Sequence, residues 1–545
     1  MRTFFRFSCS VLLLLSSTLV IADDQSELLK LKNTTLNLIN ALVKEGILTR
    51  EHADKLIQDA ETSAVAETRS MERKVNEDKS VVRVPYVPDF VRDEIRDQIR
   101  NELREDVVKD VMSQAKTERW GVPGVLPEWT TRIKLKGDIR LREQSDFFAS
   151  QNNPFTYANI QEVNKSGSIA KAGDKAFFNT TENRHRLRAR MRLDVEAKIS
   201  NDLKAGIRFT SGSFDDPVSS NQTLGTTGRR WKLGIDRTYL KYNRSDSDGY
   251  NWLTLVGGRF ANPWFHTDMV WDKDLNFDGI AATMRFGLGG SDGLLGIDEK
   301  NKTVFLTLGA FPLQEVDVSS DDKWLFGAQT GLEWIFENQS IFKIGLAYYD
   351  YWNITGKQNE PFSTLNDFTA PEFVQKGNSV FDIQANDPSV NLFALASDYN
   401  LVNLTTSVDL AYFSPIHLVL TADYVKNIGF DKNDIFRRTG FQVRQRTDGY
   451  QLGFVLGWPK IRKYRDWQVF AKWKYLERDA VLDAFTDSDF HLGGTDTKGW
   501  IVGGSYGLNE NTWLKVRWLS SDEITGLGGE PLGIDTVQLD VNTRF

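Results

Sequence analysis

The chain has 545 residues, with 67 lysines and arginines against 74 aspartates and glutamates, for a formal charge of −7. That acidic balance argues against nucleic acid as a partner. A mean hydropathy of −0.39 suggests a soluble protein at first sight, but a membrane β-barrel also averages polar because only alternate strand residues meet lipid. The 41 Gly, 15 Trp, 15 Tyr and 34 Phe suit a barrel better than a helical enzyme.

Residues 1–22 read as a secretory signal. Arg2 and Arg6 supply the charged start, Val11–Ile21 the apolar core, and Val20-Ile21-Ala22 precede a cut ahead of Asp23. Removing Arg2 and Arg6 takes the formal charge from −7 to −9. Cys9 is the only cysteine and lies before that core, so the mature chain has no thiol and is not a small disulfide-stapled domain. No stretch reaches the roughly 20 apolar residues of a membrane helix.

Residues 23–119 read as a helical region rich in charge. Leu28, Leu31, Thr35, Leu38 and Leu42 step by three and four, a short heptad seam. This helix is either an ordinary amphipathic helix packed on its neighbour or a short oligomerising coil such as a trimer stalk. So short a seam does not choose. Leu48–Val75 is a second helical stretch, Val82–Pro88 an extended connector, and Asp89–Lys116 a third helix with Val91, Ile95, Ile99, Leu103 and Val107 on one stripe. Residues 120–131 are a linker broken by Pro123 and Pro127.

From 132 to 545 the pattern changes to strands, giving an all-β transmembrane barrel of about sixteen antiparallel strands. The segments lie near 132–144, 184–200, 202–213, 233–243, 250–259, 276–287, 302–312, 323–336, 339–353, 404–414, 416–428, 448–458, 465–478, 498–508, 510–520 and 534–545. Connections after odd-numbered segments are mostly long (145–183, 354–403), whereas those after even-numbered ones are usually short (Asn201, Pro415, Asn509), with 288–301 the main exception. Short periplasmic turns and long external loops are the barrel pattern, which places both termini in the periplasm. The closing TVQLDVNTRF (536–545) puts Val537, Leu539, Val541, Thr543 and Phe545 on one face and Gln538, Asp540, Asn542 and Arg544 on the other.

Several stretches resemble a family of Gram-negative outer-membrane proteins, the putative porins with a helical N-terminal extension. They are VPYVPDFVRDEIRDQIRNEL (84–103), WGVPGVLPEWTTRIKLKGDIRLRE (120–143), RHRLRARMRLDVEAKISNDLKAGIRFTSGS (184–213), GGRFANPWFHTDMVWDKDLNFDG (257–279), DSDFHLGGTDTKGW (487–500) and IDTVQLDVNTRF (534–545). The resemblance implies a barrel in the outer membrane and a channel function, without naming a solute.

The densest charge lies on the first two strands. Arg184, Arg186, Arg188, Arg190 and Arg192 alternate with His185, Leu187, Ala189, Met191 and Leu193, while Lys134, Lys136, Arg140 and Arg142 alternate with apolar residues and Gly137. An arginine facing mid-bilayer lipid costs roughly 2–4 kcal/mol, so this ladder is expected to face the lumen. Arg208 and Arg237 would extend it. The loop at 262–278 carries Asp268, Asp272, Asp274 and Asp278 with Trp264, Phe265 and Trp271. In general porins the third external loop folds inward to form the constriction, so by resemblance these carboxylates would face the basic wall and set a transverse field. The charges are then either a selectivity element favouring anions or zwitterions, or mere lumen wetting and salt-bridge stiffening. Trp324, Trp334, Tyr348, Tyr349, Trp352, Trp473, Trp513 and Trp518 read as interfacial girdles. Asp487, Asp489 and Asp496 are either a weak calcium site or simply an acidic external loop.

The five histidines (52, 185, 266, 417, 491) are scattered, with no HExxH and no metal spacing; no cofactor or catalytic residue is expected. The leading reading is a porin passing small hydrophilic solutes by passive diffusion, with outer-membrane lipid around it and a homotrimer as one assembly. The alternative is an anchoring barrel whose residues 25–116 grip peptidoglycan or a periplasmic partner.

Overall fold

The computed structural model describes residues 132–545 apart from 248, 289–300, 318, 388 and 527–529. The expected signal (1–22), helical region (23–119) and linker (120–131) lie outside the described residues. Those described belong to the compact unit Asp110–Phe545.

The strands, in order, are β1 (Ile133–Phe148), β2 (Arg184–Lys198), β3 (Leu203–Thr210), β4 (Gln222–Thr223), β5 (Gly234–Ser245), β6 (Asn251–Ala261), β7 (Asn276–Gly287), β8 (Lys302–Gln314), β9 (Lys323–Ile335) and β10 (Ile341–Trp352). They continue as β11 (Val380–Asp382), β12 (Phe393–Leu395), β13 (Asn400–Phe413), β14 (Ile416–Asn427), β15 (Asp448–Gly457), β16 (Trp467–Leu476), β17 (Thr497–Asn509), β18 (Thr512–Glu523) and β19 (Gly533–Arg544). Sixteen of them, all but β4, β11 and β12, form one antiparallel sheet in chain order that closes where β19 returns to β1. Closure leaves no backbone edge to meet lipid. β4 covers the part of β2 that β3 is too short to reach, and β11 and β12 pair with each other inside the 353–399 loop.

Each expected segment coincides with one long strand. The largest shifts are at β1, which runs on to Phe148, and β13, which begins at Asn400. The terminal strand faces as its alternation predicts: Leu539 and Val541 are exposed outward, whereas Gln538 and Asp540 are covered. Phe545 completes the seam by exchanging two backbone hydrogen bonds with Gly137, at 2.8 and 3.0 Å. A Cβ at Gly137 would stand 2.3 Å from the Phe545 ring, so the glycine makes room for the terminal aromatic. Long and short connections alternate around the barrel, so β1 starts and β19 ends at the short-turn rim.

Three short helices in the loops were not expected: α1 (Ile160–Ser166), α2 (Ile169–Ala172) and α3 (Lys432–Thr439). They are too short to show a helical period, and their caps hold them instead. The Asp431 side chain accepts from the Asn433 and Asp434 N–H groups, and Gly440 closes α3 at φ 76°.

The lumen departs from a uniformly polar interior. The inward side chains Leu325, Tyr349, Tyr351, Leu401, Val425 and Leu476, on β9, β10, β13, β14 and β16, are apolar and fully or almost fully buried. They would be unstable against water, and the loops described below cover them. Tyr349 thus corrects the girdle expectation, since it packs inside the barrel. Trp513 also shares the inward alternation of Lys515 and Arg517, whereas Trp352 and Trp518 are exposed on the outer face.

Candidate functional site

The inward face of β1 and β2 is a ladder of like charges. Arg140 stands opposite Arg190 and Arg142 opposite Arg188 across the strand pair, an arrangement that destabilises a sheet unless counter-charge is supplied. Carboxylates from several elements supply it. Arg190 and Arg192 share Asp138 at 2.8 and 2.7 Å, and both also reach Asp274 at 3.4 and 3.2 Å. Arg142 grips Asp540 and Asp489 at 2.6 and 2.9 Å, and Arg186 pairs with Asp146 at 2.6 Å. Arg208 pairs with Asp236, Arg237 donates to Asn276 Oδ1 at 2.7 Å, and Arg188 donates to Gln144 Oε1 at 3.1 Å. Arg184 is exposed at the loop end of β2, while Lys134 and Lys136 are exposed near the short-turn rim opposite Glu196 and Asp194.

The loop 262–275 between β6 and β7 folds into the barrel. Gly258 and Gly279 face each other just below it, at φ 112° and 138°. A Cβ at either would come within 2.4 or 2.2 Å of a neighbouring carbonyl oxygen. Such a glycine pair permits a local kink that no other residue type would tolerate. Trp264, Met269, Val270, Trp271 and Leu275 then bury themselves on the apolar half of the lumen. The Trp271 ring meets Tyr349 edge-on at 5.1 Å and Phe277 at 5.1 Å. Gln329 clamps the loop backbone by accepting from Phe265 N at 2.8 Å and donating to Phe265 O at 2.7 Å.

The four expected loop carboxylates separate in space. Asp268 reaches across to Lys472 on β16 at 2.6 Å. Asp274 binds Arg190, Arg192 and the Ser220 hydroxyl, the last at 3.1 Å. Asp272 accepts from Asp274 N at 2.6 Å and Ser488 N at 3.2 Å. Asp278 is not part of the loop: it lies on β7 and pairs with Arg259 at 2.7 Å. Burial opposes ionisation of Asp274, yet Arg190, Lys273 and Arg192 hold its carboxyl below the usual range. Asp272 has no arginine beside it, and burial with Asp487 and Asp274 nearby outweighs Lys273 and pushes its carboxyl up. Basic wall and acidic loop are therefore in contact at these residues rather than facing each other across open space.

A second loop, 477–496, also turns inward, which the sequence pattern does not foretell. Asp489 at its centre joins Arg142 to Arg517, at 2.9 and 2.6 Å. The two loops meet where Asp272 N donates to Phe485 O at 2.7 Å. Asp496 pairs with Arg478 at 3.2 Å, while Asp487 lies 3.9 Å from Lys474. The three carboxylates considered as calcium ligands thus go to three different sets of cations, and among the described residues no cluster of metal-ligating side chains forms.

Asp483 in this loop is buried, and its Oδ1 has no hydrogen-bond partner. Burial pushes its carboxyl up to about 6, from an ordinary 3.8. The native loop therefore keeps a proton that the unfolded chain has lost, so the contribution to stability is full below the ordinary value. It declines as pH rises through about 6, by about 3 kcal/mol in all. Asp483→Asn is expected to raise thermal stability at neutral pH and to flatten its pH dependence. Parallel melting-temperature slopes for both proteins would count against this.

The cations on the far wall also escape a reading of the sequence alone. Lys472, Lys474, Lys515 and Arg517 stand on β16 and β18. Lys273, near the end of the 262–275 loop just before β7, is exposed to water within the barrel. Its charged neighbours are Arg517, Asp489, Asp274 and Arg140. Among the described residues, no carboxylate oxygen lies within 4.0 Å of Arg140, Arg188, Lys273 or Lys515. On the other side, a cavity of about 780 Å³ beside β3 and β5–β9 is bordered by Asp215, Asp216, Asp236, Asp274, Asp278 and Glu372, among others. Carboxylates outnumber cations at this cavity, where Lys165, Arg259 and Lys323 also stand, whereas Arg140, Arg188, Lys273 and Lys515, the cations without a carboxylate partner, belong to β1, β2, the 262–275 loop and β18.

With this barrel and its charged interior in place, the sequence profile of the Putative porin family matches residues 32–545. The chain belongs to that family. Among solved structures, this porin is similar to OprB of Pseudomonas putida at high pH, with 12% identity, 76% of this chain and 95% of that chain covered, and a TM-score of 0.43. It is likewise similar to the outer-membrane channel DcaP of Acinetobacter baumannii, with 11% identity, 76% and 97% covered, and a TM-score of 0.39. The Salmonella typhi OmpF complex with daunomycin matches at 10% identity, 76% and 97% covered, and a TM-score of 0.39. No curated protein matches significantly. Family membership implies the outer membrane and points to a channel rather than an enzyme. Gly503–Gly507 (GGSYG) spells G-x-S-x-G, a pattern the sequence reading passed over, and it runs along β17 rather than through a strand-to-helix turn.

Proposed function

We propose that this porin passes small hydrophilic solutes by passive diffusion along the basic wall, with a preference for anions at the level of Lys273. The observation that supports this most is Lys273 itself, a water-exposed ammonium deep in the barrel, next to Arg140. Arg190 and Arg192 contribute less, because Asp138 and Asp274 already neutralise them. Such uneven charge would also orient dipolar solutes as they pass. Exchanging Arg140, Arg188 and Lys273 together for glutamine is expected to move the reversal potential in a KCl gradient toward cation selectivity. The shift should shrink as salt rises from about 0.1 to 1 M, where the screening length falls from about 10 to 3 Å. An unchanged reversal potential in a variant of normal conductance would overturn the assignment.

On this reading the short-turn rim faces the periplasm, so residues 23–119 follow a signal (1–22) and lie there, joined to the barrel by 120–131. A homotrimer with contacts to outer-membrane lipid is the proposed assembly. The second reading, an anchor to peptidoglycan or a periplasmic partner through residues 25–116, draws on the charge-rich heptad pattern of that region. Deleting residues 25–116 separates the two: the channel keeps its conductance, whereas an anchor loses envelope attachment.

A further inference from the structure

A second cavity, of about 560 Å³, lies among the long loops and is separate in its lining from the arginine ladder. Tyr157 comes from the first long loop, Lys376 and Asn378 from 353–399, Arg444 and Arg446 from 428–447, and Arg478, Asp483 and Asp496 from 477–496; Glu523, at the end of β18, completes the wall. Its size is that of a small-molecule site.

The polar groups around it are incompletely satisfied. Lys376 is 9% exposed, and among the described residues its Nζ has neither a hydrogen-bond nor an ion-pair partner. Arg446 Nε, Arg478 Nε, Asp483 Oδ1 and Asp496 Oδ1 are all buried without a hydrogen-bond partner. Unpaired buried polar atoms are uncommon, and each costs about 1–3 kcal/mol. Those four atoms are closed off from the space, so the group that offers itself to a ligand is the unpaired Lys376 ammonium, whose residue lines the cavity. The frame holding them is well ordered by hydrogen bonds: Gln375 Nε2 donates to Asp483 O at 2.7 Å, Asn378 Nδ2 donates to Arg478 O at 2.7 Å, and Thr495 N donates to Lys376 O at 2.7 Å.

Charge narrows the ligand class. Lys376, Arg444, Arg446 and Arg478 share the lining with Asp483, Asp496 and Glu523. Arg478 already holds Asp496, Arg446 holds Glu477 and Glu523 accepts from the Tyr157 hydroxyl, while Lys376 and Arg444 have no carboxylate oxygen within 4.0 Å among the described residues. A purely anionic or purely cationic solute would meet repulsion comparable to its attraction. A molecule carrying both signs a few bonds apart would satisfy both sets. We propose that this cavity is an entry site for small zwitterions, of the size of an amino acid or short peptide, with Lys376 taking the carboxylate and Asp496 and Glu523 the ammonium. The inference rests on the channel reading in that solutes enter from the loop side, but its test needs no conductance.

The test uses the full chain in detergent and isothermal titration calorimetry with alanylalanine, its N-acetylated form and its C-amidated form. Saturable binding of the free dipeptide is expected, weakened by about tenfold or more when either charge is blocked, as for the loss of a charge-assisted hydrogen bond. Lys376→Met, which removes no hydrogen bond or ion pair of the Nζ within the described residues, should weaken the free dipeptide similarly and leave the C-amidated form unaffected. Equal binding of the three compounds, or no saturable binding at millimolar concentration, would overturn the proposal while leaving the channel reading intact. A Lys376→Met protein that binds the free dipeptide like the parent would also overturn it.

Discussion

Arg142→Met is expected to lower barrel stability by about 3–5 kcal/mol, the cost of breaking a buried ion pair from one side. The Arg142 side chain is 1% exposed and holds Asp540 at 2.6 Å and Asp489 at 2.9 Å. Both contacts are doubled, since Nη2 also reaches Asp540 at 3.0 Å and Nη1 reaches the second Asp489 oxygen at 3.0 Å. Methionine fills much of the volume but leaves two carboxylates buried. One guanidinium joins the first strand, the last strand and the inward 477–496 loop, so its loss should loosen the seam and the loop together. The heat needed to convert the folded band to the unfolded band on SDS gels reads the effect. Adding Asp540→Asn should restore much of the loss, because the carboxylate left without a partner goes with the arginine, whereas Asp489 keeps Arg517 at 2.6 Å. A variant as heat-resistant as the parent would show that water already screens these groups.

Trp271→Ala is expected to act on conductance as strongly as on stability. The indole is fully buried, and truncating a buried tryptophan costs about 3–5 kcal/mol. The ring packs against Tyr349, Phe277 and Phe485, and this packing fixes the 262–275 loop on the apolar half of the lumen. With that anchor gone, the loop retains Gln329, Lys472 and the arginine contacts but no longer packs flat. Larger and noisier single-channel currents are the expected result. A lower melting temperature with unchanged conductance would mean that the loop is structural and does not set the width of the passage.

Much of the fold was legible because barrel strands alternate with period two, and because five arginines in one strand can face only one way. Arg188 and Arg190 could be placed inward on cost alone. The inward 477–496 loop could not be, since Asp489 finds Arg142 across 347 positions of sequence and no local pattern signals that meeting. The apolar half of the lumen was hidden for a related reason. Tyr349 and Leu401 look like lipid-facing or girdle residues until the loops that cover them are in place. Lys273 was masked by its neighbours Asp272 and Asp274, which made the segment read as purely acidic. The short helices rest on caps such as Asp431 and Gly440, which carry little weight in a segment of eight residues.

The register sets Asp138 opposite Arg544 and Arg142 opposite Asp540, so the two ends of the chain share one charged seam. The arginine ladder lies in the first hairpin to be made, whereas Asp489 and Asp540 belong to the last part of the chain. Within the first hairpin Asp138 and Asp146 meet Arg190, Arg192 and Arg186, but Arg142 has its carboxylate partners only at Asp489 and Asp540. The strand that shuts the cylinder is thus also the one that brings Asp540 to Arg142. A chain truncated before Asp489 would lose its closing strand and both carboxylate partners of Arg142 at the same stroke.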